Sequence, residues 1–122
     1  MIIEGKVVPG KQLGRTIGFP TANIEAARQT GEGPDGVYAA FIEIDGVKYP
    51  SMVNIGHHPT LPEGGKTVEA HIFDYSGDAY GKRVRLETAA YIRPERKFAS
   101  VEALREQLEK DKKTAGAVLA GK

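Results

Sequence analysis

Cysteine is absent from this 122-residue chain, which excludes a disulfide framework, a thiol nucleophile and a cysteine-ligated metal. Its absence fits a reducing compartment. An excess of charge of either sign is missing too. Lys and Arg number 17 against 16 Asp and Glu, and the formal net charge of +1 offers no electrostatic footprint for nucleic acid or an anionic membrane. No apolar run reaches the roughly 20 residues that a membrane-spanning helix needs. The N-terminus, Met-Ile-Ile-Glu-Gly-Lys, enters a structured pattern at once with no apolar signal region, so a cytoplasmic location is expected. The three histidines show no zinc-ligand spacing. Gly-x-Ser-x-Gly does not occur, and neither a Ser/His/Asp arrangement nor a close carboxylate pair has local support. Hydrolase chemistry is left without a basis.

What remains is an ordinary globular composition, 40% hydrophobic and 27% charged, at a length that suits one compact domain over residues 1–122. Apolar, β-rich runs at 2–8, 36–45, 47–55, 67–73 and 82–92 are predicted as strands, separated by Gly, Pro and Asp. In the second, Tyr38, Ala40, Ile42 and Ile44 alternate with Val37, Ala39, Phe41 and Glu43. Asp45-Gly46 then marks a tight hairpin. A short strand around 21–24 brings the total to six. One helix follows, capped by Ser100, with Glu102 in its first turn and an apolar stripe of Val101, Leu104, Leu108, Ala115, Val118 and Leu119. Strands in succession closed by one helix predict a mainly β fold: a small, largely antiparallel barrel with the helix packed outside. Asp111 falls inside the stripe, either solvated at its edge or in polar contact with a loop or ligand.

Residues 10–23, Gly-Lys-Gln-Leu-Gly-Arg-Thr-Ile-Gly-Phe-Pro-Thr-Ala-Asn, are the most informative stretch. Gly10, Gly14 and Gly18 recur every fourth residue with Lys11 and Arg15 between them. Such glycines let backbone N–H groups approach a ligand, and successive amides form an anion-binding concavity. After Pro20, Thr21 and Asn23 point to one side of an extended chain. Their oxygens suit a hard cation such as Mg²⁺ when phosphates and water complete its shell. The segment reads as a phosphate-and-metal loop but not a Walker A, since no Gly-Lys-Ser/Thr follows. The same composition also fits an exposed loop with no ligand.

Glu69 is the best acid–base candidate: it shares a strand face with His71, opposite Val68, Ala70 and Ile72, and a carboxylate held there can take a proton from an attacking hydroxyl. Read alone, it is first a solvated strand residue, and only its surroundings favour the acid–base role. His57 and His58 read as part of a solvated loop. Arg93-Pro-Glu-Arg-Lys-Phe98 joins the last strand to the helix, where cations beside an aromatic suit a planar, polar ligand. Alternatively, Phe98 folds beneath the helix as a staple.

Taken together, the segments Gly-Arg-Thr-Ile-Gly-Phe-Pro-Thr-Ala-Asn (14–23), Gly-Val-Tyr (36–38), Asn-Ile-Gly-His-His-Pro-Thr (54–60), Val-Glu-Ala-His-Ile-Phe-Asp (68–74), Tyr-Gly (80–81) and Ile-Arg-Pro-Glu-Arg-Lys-Phe (92–98), with the Asp111 helix, resemble the riboflavin kinase (flavokinase) family. The resemblance covers nearly the whole chain. It implies a six-stranded antiparallel Greek-key barrel and transfer of the ATP γ-phosphoryl group to the ribityl 5′-hydroxyl of riboflavin, giving FMN and ADP. It assigns Thr21 and Asn23 to Mg²⁺ and the phosphates, and Glu69 to the catalytic base. Gly10, Arg15, Gly18, Thr21 and Tyr80 would lie by the ATP, and Arg93, Arg96 and Phe98 by the flavin. Riboflavin/FMN and ATP/ADP are the expected partners of a monomer, with no nucleic acid and no membrane. Without the N-terminal adenylyltransferase domain of the bifunctional enzymes, FMN and not FAD is the expected product. Two other readings of the barrel are a non-catalytic flavin or nucleotide sensor and an oligonucleotide-binding module. Thr21, Asn23 and Glu69 together count against the first, and the balanced charge against the second.

Overall fold

The computed structural model of the chain describes residues 1–9, 18–57, 66–75 and 77–122. Gly10, Arg15 and His58 lie outside the described residues. Six strands and one helix follow in order: β1 (Ile2–Val8), β2 (Ala22–Thr30), β3 (Gly36–Ile44), β4 (Val47–His57), β5 (Lys66–Ile72), β6 (Arg83–Arg93) and α1 (Val101–Ala120). All pairings are antiparallel, and the sheet closes on itself in the order β1-β2-β5-β4-β3-β6. β3, β4 and β5 are successive neighbours and β6 returns beside β3, the Greek-key arrangement. Asp45 and Gly46, both at positive φ (52° and 81°), form the β3–β4 turn that the Asp-Gly pair predicts. Among the described residues no helix is long and apolar enough to cross a membrane.

The interior is filled by the alternating apolar set. Ile3 and Val7 of β1, Ile24 of β2, Tyr38, Ala40, Ile42 and Ile44 of β3, Val53 and Ile55 of β4, Val68 and Ala70 of β5, and Val84 and Leu86 of β6 form one buried cluster. A second cluster lies outside the barrel wall, where Phe19, Ala39, Met52 and Phe73 meet Ala115 and Leu119 of α1. β3 is therefore buried on both faces, and this explains why its outward set, Val37, Ala39 and Phe41, is apolar as well. Two register shifts between β3 and β6, at Val37/Tyr38 and Ala39/Ala40, put Ala89, Ala90 and Ile92 against this second cluster. Strict alternation would divide them between the faces.

β2 is longer than the short strand predicted at 21–24. Its second half is polar and exposed, so hydrophobic alternation fades, yet its backbone still pairs with β1 as far as Ile2 opposite Thr30.

The helix begins where its cap requires. Ser100 is extended (φ −152°, ψ 163°), and its hydroxyl accepts the Ala103 N–H at 3.1 Å. Val101, predicted in the buried stripe, is 51% exposed. It has the stripe's azimuth but lies in the first turn; periodicity gives a direction, not how far along the helix the barrel reaches. Asp111 is resolved in favour of a polar contact. It is only 1% exposed, and both carboxylate oxygens lie 3.0 Å from Arg93 Nε, with Arg93 Nη2 at 2.8 Å and Gln107 Nε2 at 3.0 Å. This bidentate pair latches α1 to the end of β6.

Removing one partner strands a buried charge, so Asp111→Ala should lower unfolding free energy by about 3 kcal/mol or more. Arg93→Met/Asp111→Leu should recover most of that loss, because an apolar pair of similar volume needs no compensation. Urea titration of the two variants and the parent checks both.

Candidate active site

Barrel register assembles the site. Asn23 of β2 stands opposite Glu69 of β5, Glu69 opposite Asn54 of β4, Asn54 opposite Val37 of β3, and Val37 opposite Arg93 of β6. These five residues form one transverse row. They alternate with inward residues such as Ile24, Val68, Ala70, Val53, Ile55 and Tyr38, so the row faces outward, on the side that α1 partly covers. Directly opposite residues have Cβ atoms roughly 4.5–5.5 Å apart. The carboxylate of Glu69 is thus flanked on both sides by carboxamides. Asn54 was not singled out from sequence: its outward parity was legible, but nothing local sets which β5 residue it faces.

Thr21 precedes β2 by one residue, at the end of a sharply constrained turn. Gly18 sits at φ +88°, a conformation that a side chain disfavours, and no atom lies within 4 Å of where its Cβ would be. Phe19 then packs into the outer cluster and Pro20 fixes its own φ. His71, on the Glu69 face of β5 as predicted, holds this turn: its Nδ1 lies 2.7 Å from the Pro20 carbonyl oxygen, and its ring meets Phe19 and Phe73 edge-on at centroid distances of 5.3 and 5.7 Å.

Thr21 lines two cavities. The first, about 520 Å³, is bounded by Val7, Thr21, Ala70, Ile72, Tyr75 and Tyr80 among others. Tyr80 is 49% exposed at its rim, on a turn tied to β1 by Gly81 N–H to Val7 O at 2.9 Å. The second, about 600 Å³, is mainly apolar and takes in Thr21, Glu69, Arg93, Arg96, Phe98 and Leu104. Thr21 is the one predicted site residue common to both. Gly18 lies outside both linings, and Asn23 joins through its pairing with Glu69.

The wall beyond β6 is built by cations stacked on an aromatic. Arg93 and Arg96 lie 5.7 and 5.2 Å from the centre of the Phe98 ring. All three guanidinium nitrogens of Arg93 already have internal partners, Asp111 twice and the Pro94 carbonyl once. Arg96 Nη1 donates to Gln107 Oε1 at 3.1 Å. Arg93 therefore enters the site chiefly as the latch to α1. Phe98 is half-buried and lines the second cavity beside Leu104 and Leu108 of α1. Glu95, missed from sequence, sits against Gly56: a Cβ there would come within 2.2 Å of the carboxylate. That close approach lets the 94–98 segment fold over β4.

His57 ends β4 and pairs with Asp35 at 2.9 Å, both half exposed, in place of the solvated loop expected. Among the described residues no group of three His, Cys, Asp or Glu is placed to hold a metal. Thr21, Asn23 and Glu69 offer only hard oxygen donors, a set that fits Mg²⁺ when phosphates supply further oxygens and fits zinc poorly.

His71 carries a pH signature. Burial lowers its pKa below the ordinary 6.5; the Pro20 hydrogen bond opposes this and the Lys112 cation adds to it. The folded state thus refuses a proton that the unfolded chain accepts below about pH 6.5. Stability should be constant above that pH and fall below it, by at most about 1.4 kcal/mol per pH unit. Urea midpoints between about pH 5 and pH 8 should show this component in the parent and lack it in His71→Phe.

A family model described as riboflavin kinase (Flavokinase) matches residues 1–119. The bifunctional riboflavin kinase/FMN adenylyltransferase of Bacillus subtilis is 41% identical over 116 residues, 93% of this chain and 37% of that relative. The chain therefore spans little more than a third of the length of that curated relative. The crystal structure of riboflavin kinase from Trypanosoma brucei superposes with a TM-score of 0.66 at 26% identity, over 98% of this chain and 79% of the other. That of a macrolide-efflux protein from Streptococcus pneumoniae gives a TM-score of 0.87 at 38% identity, over 93% of this chain and 38% of the other. With the match running from the first residue into the last turn of α1, the chain belongs to the flavokinase family.

Proposed function

We propose that this chain transfers the γ-phosphoryl group of ATP to the 5′-hydroxyl of the ribityl chain of riboflavin, giving FMN and ADP. Family membership supports the reaction. The observation that carries it to residues is the position of Thr21 on the border of two cavities, with Glu69 in the second and in register with Asn23.

In this reading the cavity beside Tyr80 takes the nucleotide. The apolar cavity walled by Phe98, Met52, Leu104 and Leu108 takes the flavin ring. Thr21 and Asn23 would hold the Mg²⁺ of the nucleotide, which when bound neutralises phosphate charge. Gly10, Arg15 and Gly18 are proposed neighbours of the phosphates. Phosphoryl transfer asks mainly for positioning and charge stabilisation. Glu69 accepts the proton of the ribityl 5′-hydroxyl as its oxygen bonds to the γ-phosphorus. The bond from that phosphorus to the β–γ bridging oxygen breaks, and ADP carries the electron pair away. Two carboxamides beside Glu69 can hydrogen-bond its oxygens and aim it, and the 94–98 segment excludes water from the flavin side.

Incubation with riboflavin, ATP and Mg²⁺, followed by chromatographic separation of flavins, should show FMN. Glu69→Gln should lower kcat by about 100-fold or more while riboflavin affinity, read by flavin fluorescence, stays within about threefold. Unchanged turnover in that variant would contradict the assignment of the base.

A further inference from the structure

We infer that His71 is a positioning residue for Thr21: by holding the Pro20 carbonyl it fixes the peptide from which the Thr21 side chain departs. The inference deepens the kinase reading and rests on it for its catalytic consequence, though not for its structural one.

The ladder between β2 and β5 ends at Ala22 opposite Ala70. The next rung, opposite His71, is made by a side chain: Nδ1 to the Pro20 oxygen at 2.7 Å. A carbonyl can only accept, so Nδ1 carries the hydrogen and Nε2 of the neutral ring carries a lone pair. Among the described residues Nε2 is buried with no hydrogen-bond partner, in a side chain only 7% exposed. An orphaned acceptor in a buried position is unfavourable. A residue kept for packing alone, such as Phe, would fill the slot between Phe19 and Phe73 without that cost. What His71 adds is the directed donor, and the two edge-on aromatic contacts set its direction.

The consequence reaches Thr21 through covalent geometry. The Pro20 carbonyl and the Thr21 N–H belong to one planar peptide. Pro20 restricts the residue before it to extended backbone, and the packed Phe19 ring anchors the turn on the other side. Thr is stiff at χ1. With the peptide plane held, the hydroxyl of Thr21 has little freedom left where it borders both cavities. Glu69, two residues from His71 on the same strand face, is placed by the same rigid segment. One imidazole thereby couples the metal-side hydroxyl to the strand that bears the base.

Three substitutions separate the donor from the ring. His71→Asn puts an amide N–H near the Nδ1 position, His71→Gln puts one near Nε2, and His71→Phe keeps the ring and removes the donor. His71→Asn should keep kcat within about threefold of the parent, while His71→Gln and His71→Phe should lose about tenfold or more. His71 also lines the second cavity, so riboflavin affinity is followed separately by flavin fluorescence and should change less than kcat does. The ¹³C resonance of the Pro20 carbonyl should shift in His71→Phe and stay near the parent value in His71→Asn, with thermal unfolding verifying that each variant is folded. Full kcat in His71→Phe, an unmoved Pro20 resonance, or a folded His71→Asn as impaired as His71→Phe would overturn the inference. If the parent makes no FMN, the kinase reading fails, and the carbonyl resonance still decides whether His71 holds the turn.

Discussion

Strand register in a closed barrel is the constraint on which the site depends. A slip of one residue turns every side chain of a strand to the opposite face. The alternating apolar sets of β3, β4 and β5 forbid such a slip, because it would drive Asn54 or Glu69 into the packed interior. The hydrophobic interior thereby positions polar groups it never touches. Closure removes the free edges, and the row from Asn23 to Arg93 is held by hydrogen-bonded backbone from end to end.

The second constraint is the helix outside the barrel. Apolar contacts of Ala115 and Leu119 with Ala39 and Met52 bring α1 against the wall. The Arg93–Asp111 pair fixes how the middle of α1 meets the end of β6. Apolar contact alone is non-directional, and a bidentate ion pair adds the direction it lacks. The cavity that receives Phe98, Leu104 and Leu108 exists because these elements meet only along part of the helix. Fold and site are therefore joined at Arg93, which belongs to both.

Much of this was legible in the sequence where one local cue sufficed. The alternation in 36–44, the Asp-Gly turn and the Ser100 cap each predict an element within a residue or two. β2 was read short because its exposed half, Glu25–Thr30, lacks alternation and is held by pairing with β1 alone. Thr21, Asn23 and Glu69 were singled out by residue type and spacing, with roles implied by the resemblance. That Asn23 stands opposite Glu69 follows from the β2–β5 pairing, which no local cue reports. Asn54, Glu95 and the Pro20 hook of His71 depend on contacts between distant segments, which no spacing rule reports. Asp111 was visible as an anomaly, a charge within an apolar stripe; its partner was not, since Arg93 lies 18 residues away and needs the helix to be docked.

The arrangement is tested most directly by placing a paramagnetic Mn²⁺ with ATP on the protein and following the side-chain N–H signals along the row. Neighbouring strands are about 4.8 Å apart, so a metal ion held by Thr21 and Asn23 lies progressively farther from each residue along it. The Asn23 carboxamide signal should be lost first, that of Asn54 at higher Mn²⁺–ATP, and Arg93 Nε–H last. Equal broadening of all three, or loss of Arg93 before Asn23, would contradict a nucleotide metal site at the β2 end of the row.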